Sequence, residues 1–303
     1  MLGRLPFFAA RGDETRFARL LGRGPRFFSY VGVTAVALWA GTLLGTSDGP
    51  RVASAVAVAL NEEPRETESL SGPAALEFCR LLLHHAEHQL ADVRDLMAVF
   101  HKLERIDGQL QALNIMDLKV RRQPLSIYMR WREPHAGRQI LWREGQDDEQ
   151  VLVRAGGWRA RVVPVLKVDP DGQRAREYSR RPVTQIGIWN MNARMLRYLD
   201  IADGHPEVVV RMEQDVRLAE RPCFKFSFVH PHRVAEHDYQ RIQIYVDYDL
   251  QIPIACELYG FAEDAQSPEP LVESYLFTEV ALDVGLTDED FSPVNPRYAF
   301  RSE

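Results

Sequence analysis

His84, His85 and His88 lie close together, and His84 and His88 are four apart, a spacing that puts two imidazoles on one helical face where they can hold a metal. Glu87 and His101 are near in sequence, but no third ligand is obvious. A solvated polar face opposite Leu82 and Leu83 accounts for the same pattern, so no metal and no cofactor is expected. His230, His232 and His237 flank a turn between two predicted strands and read as loop residues. Cys256 shares its phase with Ile254 and Leu258, whereas Cys223 is out of phase with Phe224 and Phe226. If both apolar rows face one core, these thiols point to opposite sides and cannot bridge, so free, mostly buried cysteines are expected. Nucleotide loops of the G-x-x-x-x-G-K-[ST] and G-x-G-x-x-G types are absent, as are G-x-S-x-G and H-E-x-x-H. The balance points away from an enzyme. What remains able to act is apolar: a large aromatic and aliphatic content on alternating positions, whose chemistry is to hold another apolar group.

The elements that must position these side chains follow from periodicity. Between residues 74 and 92, Leu76, Cys79, Leu82, Leu83, Ala86 and Leu90 recur at three- and four-residue spacing, which predicts an amphipathic helix started by Ser71 and Pro73. The period then changes to two. Leu125, Ile127, Met129 and Trp131 alternate with Ser126, Tyr128, Arg130 and Arg132, and Met116, Leu118 and Val120 with Asp117, Lys119 and Arg121. Phe224, Phe226 and Phe228 do the same, as do Ile242, Ile244 and Val246. Antiparallel strands with one wet face produce this pattern. Turn signals such as Asp107-Gly108, Glu144-Gly145 and Gly156-Gly157 make the connections short. A second helix is predicted over residues 183–200, with Ile186, Trp189, Ala193, Leu196 and Leu199 inward. It divides about six strands from about five. The expected fold is α+β, a large antiparallel sheet of about 11 strands with two helices over one face.

Composition sets the compartment and the partners. The chain has 303 residues, 46% apolar and 26% charged, which supports a real core. The net charge of -6 argues against nucleic acid as a partner. Only Lys102, Lys119, Lys167 and Lys225 stand against a large excess of scattered Arg, a bias read as genome composition. Residues 27–45 carry no charge and follow Arg11, Arg16, Arg19, Arg23 and Arg26, the order of an export signal or a membrane anchor. Nineteen helical residues would span about 28 Å, roughly one bilayer core. Ala55-Val56-Ala57 and Ala57-Val58-Ala59 have the form a signal peptidase accepts, so cleavage and retention both stand open. Either outcome places the chain after about residue 60 outside the cytoplasm, in the periplasm or attached to the inner membrane. The expected organisation is residues 1–60 as basic leader plus signal or anchor, 61–73 as a polar linker, and 74–303 as one domain.

Four stretches resemble a known family. Glu104-Arg-Ile-Asp-Gly108, Leu118-Lys-Val-Arg-Arg-Gln-Pro-Leu-Ser-Ile-Tyr128, Pro182-Val-Thr-Gln-Ile-Gly187, and Gly285-Leu-Thr-Asp-Glu-Asp-Phe291 with Asn295-Pro-Arg-Tyr-Ala-Phe300 look like the bacterial domain of unknown function 1571, in order from about residue 76 to 300. That family is similar in fold to the periplasmic carriers of the lipoprotein-localisation pathway. The resemblance implies an incomplete barrel curled around helices with an apolar hollow for acyl chains, and it transfers no catalytic residue. On this reading Met129, Trp131, Trp142, Phe226, Ile242, Ile244 and Val246 converge on the concave side as the ligand site, with Arg130 or Arg132 as rim contacts. The expected partner is a lipid or a lipoprotein acyl chain, with the membrane reached through the N-terminal segment. About ten buried methylenes would give on the order of 8 kcal/mol before binding costs. The alternative is an envelope interaction or sensor module whose cavity is filled by side chains.

Overall fold

The helical spacing after the linker is realised as α1 (Pro73–Ala91), which buries Ala75, Cys79, Leu83, Ala86 and Leu90 and begins with Pro73 in its first turn. In this computed structural model residues 69–300 are described, apart from 265 and 299; the expected leader and most of the linker lie outside the described residues. Strands β1 (Leu70–Ser71), β2 (Asp95–Ile106), β3 (Gln109–Leu110), β4 (Asn114–Arg122), β5 (Leu125–Glu133), β6 (Gln139–Arg143), β7 (Val151–Arg154) and β8 (Leu166–Val168) precede helix α2 (Ile188–Asp203). After it come β9 (Val209–Leu218), β10 (Arg221–Val229), β11 (Tyr239–Asp247), β12 (Pro253–Gly260) and β13 (Leu271–Leu282). They form one open antiparallel sheet of 13 strands in the order β1-β9-β10-β11-β12-β13-β2-β4-β5-β6-β7-β8, with β3 paired to β2. The two strands beyond the expected eleven are the two-residue β1 and β3. The last strand closes on the first long one, so β2 and β13 sit at the centre and bring the two halves of the chain together.

Period two sets the inner face. Met116, Leu118, Val120, Ile127 and Met129 from the first half join Phe226, Phe228, Ile242, Ile244 and Cys256 from the second in one buried cluster. Both helices lie over the second half. Phe78 of α1 packs edge-on to Phe224 with centroids 5.2 Å apart, while Asn192 of α2 donates to the Leu83 carbonyl of α1 at 3.1 Å. Trp189 Nε1 donates to the Leu90 carbonyl at 3.0 Å, and so fixes the crossing at its other end.

Two expectations need correction. The buried stripe of α2 is Ile188, Met191, Met195, Tyr198 and Leu199; Ala193 is exposed and Trp189 and Leu196 are only half-buried. The helix starts at Ile188, after Gly187 at φ 126 and a short 3-10 turn, so Ile186 is not on it and the stripe is rotated. The outer face is not uniformly wet either. Tyr128, Leu141 and Leu152 are buried there under Phe291, Tyr298 and Phe300 of the C-terminal segment, and Tyr128 stacks on Tyr298 at 4.0 Å. Gln243, Tyr245 and Asp247 are likewise buried on that face of β11. Cys79, Cys223 and Cys256 are all unpaired and buried. The register sets Cys256 opposite Ile244 and Cys223 opposite Asp247, on opposite faces of the sheet.

Candidate functional site

Because α1 and α2 cover the second half, the inner face of β4 to β7 needs another cover. It is supplied by the segment between β8 and α2, residues 169–187. Between that segment and the sheet lies a cavity of about 350 Å³, within the range of small-molecule sites. Its sheet wall is Phe100, Met116, Met129, Trp131, Ile140, Val151 and Val153, and its cover includes Ala175, Tyr178, Pro182, Val183 and Ile186. Trp131 is fixed as part of this wall, since its Nε1 donates to Asn114 Oδ1 at 2.7 Å. Arg138 caps the rim, with its guanidinium 4.9 Å from the Trp131 ring and 5.3 Å from that of Tyr178. Gly156 meets this rim so closely that a Cβ there would come within 2.4 Å of the Ala136 carbonyl.

The cover is pinned by two buried carboxylates. Glu104 of β2 and Glu273 of β13 are directly cross-strand, 2% and 0% exposed. Glu104 accepts from Lys102 Nζ at 2.8 Å, from the Arg180 backbone N–H at 3.2 Å and from the Tyr275 hydroxyl. Lys102 also donates to the Tyr178 carbonyl and Ser179 hydroxyl, both at 3.0 Å. Glu273 accepts from Arg180 Nε at 3.1 Å, Arg181 at 3.0 Å and the Tyr239 hydroxyl at 2.6 Å. Burial would raise the pKa of Glu273, but Arg181 and the tyrosine bond outweigh it and hold the group below its ordinary value.

Of the residues expected at the ligand site, Met129 and Trp131 line this cavity. Trp142, Phe226, Ile242, Ile244 and Val246 do not; they are buried in the core, the last four on β10 and β11 in the half that carries the helices. Arg130 and Arg132 share the opposite face from Met129 and Trp131, and Arg132 pairs there with Asp117 at 2.7 Å. The charged groups at the cavity are Lys102, Arg138, Arg174, Glu177 and Arg181. Periodicity could not find the cover, which has no regular pattern. The Pro182–Gly187 stretch is the part of it that stands out in the sequence.

Among the described residues no group of three His, Cys, Asp or Glu side chains is set to hold a metal. His84 lies 3.2 Å from Glu87, and His85 pairs with Gln251 at 2.9 Å. His230 lies in the loop between β10 and β11, as expected, but it is 1% exposed, neither ring nitrogen has a partner, and the His237 and His205 rings lie 4.7 and 6.5 Å away. Burial, reinforced by His237 and His205, pushes its pKa down to about 4. An unfolded histidine titrates near 6.5, so as pH falls from 7 towards 4 the unfolded chain takes up a proton that the folded one refuses. Stability present above pH 6.5 is therefore lost over that window, by roughly 3 kcal/mol from this residue. His230→Phe is expected to flatten that part of a pH-stability curve measured by urea unfolding, with little loss at pH 7 because no hydrogen bond is removed.

Comparison with known proteins decides the family. The family described as protein of unknown function DUF1571 matches residues 93–300. The chain belongs to the DUF1571 family. No curated protein matches this DUF1571 chain. Among solved structures it is similar to the Mycobacterium tuberculosis lipoprotein LppX, at 9% identity and TM-score 0.39 over 71% of this chain and 98% of that one. It is also similar to a structure of the Pseudomonas aeruginosa MucA/MucB complex, at 12% identity and TM-score 0.38 over 72% of this chain and 60% of the other. A third is a LolA superfamily protein from Nitrosomonas europaea, at 10% identity and TM-score 0.26, over 70% and 96% of the two chains. These likenesses are distant, and the chemistry is read from the DUF1571 chain's own cavity.

Proposed function

We propose that this protein is a non-catalytic binder that holds a lipid, or the acyl part of a lipoprotein, between the first half of its sheet and the segment 169–187. The observation that carries this reading is the cavity of about 350 Å³ walled by Met116, Met129, Trp131, Ile140 and Val153. Each methylene transferred into such a wall gains about 0.8 kcal/mol, so a chain of moderate length needs no specific polar contact to bind at micromolar concentration. The basic and then apolar N-terminal sequence supports an envelope location, with the binding domain outside the cytoplasm. Among the described residues no helix is long and apolar enough to cross a membrane. Intact mass of the protein from the envelope fraction tests whether the mature chain begins near Leu60.

Binding is tested by native mass spectrometry of gently purified protein and by titration with a fluorescent fatty acid. Val153 is half-buried on the cavity wall, so Val153→Trp fills the hollow from the strand next to the β8 edge without opening the main core. It is expected to weaken probe binding at least about tenfold while the melting temperature stays close to wild type. Ile244→Ala, in the helix-covered half, is expected to do the reverse: about 2–5 kcal/mol of stability lost, with probe affinity retained in the folded fraction. If no lipid co-purifies and Val153→Trp leaves probe binding unchanged, cavity binding is wrong.

A further inference from the structure

Arg194 of α2 has no carboxylate partner. It is 9% exposed, its Nε is unsatisfied, and its Nη2 reaches only the Cys256 thiol at 4.0 Å while the guanidinium lies over the Tyr275 ring at 5.3 Å. Glu273, the carboxylate close enough to favour its charge, is already bonded by Arg180, Arg181 and Tyr239, so a buried Arg194 with no ion pair of its own is poised for an anion that arrives with a ligand. Arg194 is also placed to meet one. It lines a polar pocket of about 550 Å³ and, together with Arg181, a narrow throat of about 30 Å³. That throat shares Phe100, Lys102, Ser179, Arg181 and Ile186 with the apolar cavity, and Arg181 and Arg194 with the polar pocket, so the three spaces adjoin one another.

The polar pocket is predominantly basic. Arg105, Arg180, Arg181, Arg194 and Arg197 line it, against Glu236 and Asp238. Asp238 is already paired with Arg233 at 3.1 Å, and Arg105 is occupied with the Leu271 and Gly108 carbonyls. Buried behind the pocket, Glu273 faces both Arg180 and Arg181, which leaves an excess of positive charge beside the throat even before Arg194 is counted.

We infer that the ligand is an anionic amphiphile, with its acyl chain in the apolar cavity and its carboxylate or phosphate group seated against Arg194 and Arg181 in the basic pocket. This rests on the acyl-binding reading above and adds the class of headgroup to it. A bond from a buried guanidinium to an oxyanion is charge-assisted and, in this desolvated setting, distinguishes an acid from an alcohol of the same length.

The test uses displacement of the fluorescent fatty acid by four competitors: hexadecanoic acid, hexadecyl phosphate, hexadecanol and inorganic phosphate. In the wild type both anionic amphiphiles are expected to bind at least about tenfold tighter than hexadecanol. Arg194→Met is expected to bring the acid and the phosphate ester down to the level of the alcohol and to leave the alcohol unchanged. Equal affinity for acid and alcohol in the wild type overturns the inference without needing any variant, and leaves acyl binding standing. So does an Arg194→Met variant that weakens acid and alcohol alike, which would make Arg194 only a structural residue. Inorganic phosphate binding as tightly as hexadecyl phosphate would overturn it too, by assigning the pocket to a free anion. Failure of hexadecanol and both anionic amphiphiles to displace the probe would instead count against the acyl-binding reading itself.

Discussion

Glu273→Ala is expected to destabilise the fold by about 3–5 kcal/mol, read as a fall of roughly 10 °C or more in melting temperature, and to abolish probe binding. The carboxylate is fully buried and accepts from Arg180, Arg181 and Tyr239. Removing it leaves two guanidinium groups facing each other with no counter-charge, and Arg194 lines the same throat as Arg181. The loss reaches the cavity because Arg180 and Arg181 lie within the covering segment, between Tyr178 and Pro182 of its lining. Without Glu273 that segment keeps the Lys102 and Glu104 bonds and those from Arg180 to the Arg105 carbonyl and from Arg181 to the Tyr239 hydroxyl, none of which neutralises the two guanidinium groups. Glu273→Gln keeps the shape and two acceptor lone pairs and should lose less. The sign with pH is fixed by the depressed pKa of Glu273: its contribution is complete above the ordinary carboxylate range and is lost as pH falls through the folded value. Acid therefore weakens the fold through His230 first and through Glu273 at lower pH. A pH series on Glu273→Gln and His230→Phe separates the two.

The strands could be read from the chain because one face is buried, and a period-two pattern is the direct consequence of that burial. Met116, Leu118 and Val120 or Ile242, Ile244 and Val246 announce both the strand and its inward side. Which inward residues meet a ligand is a different question, decided by where the helices settle. The phase of Ile244 and that of Met129 are the same in sequence; only the packing of α1 and α2 on the β9 to β12 half makes one a core residue and the other a cavity wall. Charge was legible to a smaller degree still. Glu104 and Glu273 are 169 positions apart and become neighbours only through the closing pair β2 and β13, so the need for Lys102, Arg180 and Arg181 beside them is invisible locally. Arg194 illustrates the limit: it falls away from the expected stripe of Ile186, Trp189, Ala193 and Leu196, and only the rotated stripe of Ile188, Met191 and Met195 turns it inward.

Asp95→Ala is expected to cost about 2–4 kcal/mol and to release the C-terminal segment from the outer face of the sheet. Asp95 opens β2 and is 5% exposed; its carboxylate accepts from the backbone N–H groups of Val284 at 2.7 Å, Gly285 at 3.2 Å and Leu286 at 3.0 Å. These are the turn that follows β13, and Gly285 at φ 77 supplies the left-handed step that aims three donors at one carboxylate. The turn leads into the 3-10 helix Asp288–Phe291, where Thr287 and Asp290 form a reciprocal cap and Asp290 and Asp288 pair with Lys119 and Arg121 of β4 at 2.8 and 2.6 Å. From there the chain lays Phe291, Tyr298 and Phe300 over Tyr128, Leu141 and Leu152. Asp95 thus holds the first link of a strap that makes the outer face of β5 and β6 apolar. With the alanine, three backbone donors lose their acceptor, and the strap is left with its aromatic stack and with ion pairs worth little each. Limited proteolysis should then cut within residues 284–300 of the variant before any cut in the wild type, and the exposed tyrosine and leucine surface should bind a hydrophobic dye. Equal resistance of both proteins in that segment would show that the aromatic stack at Tyr128 and Tyr298 holds the strap alone.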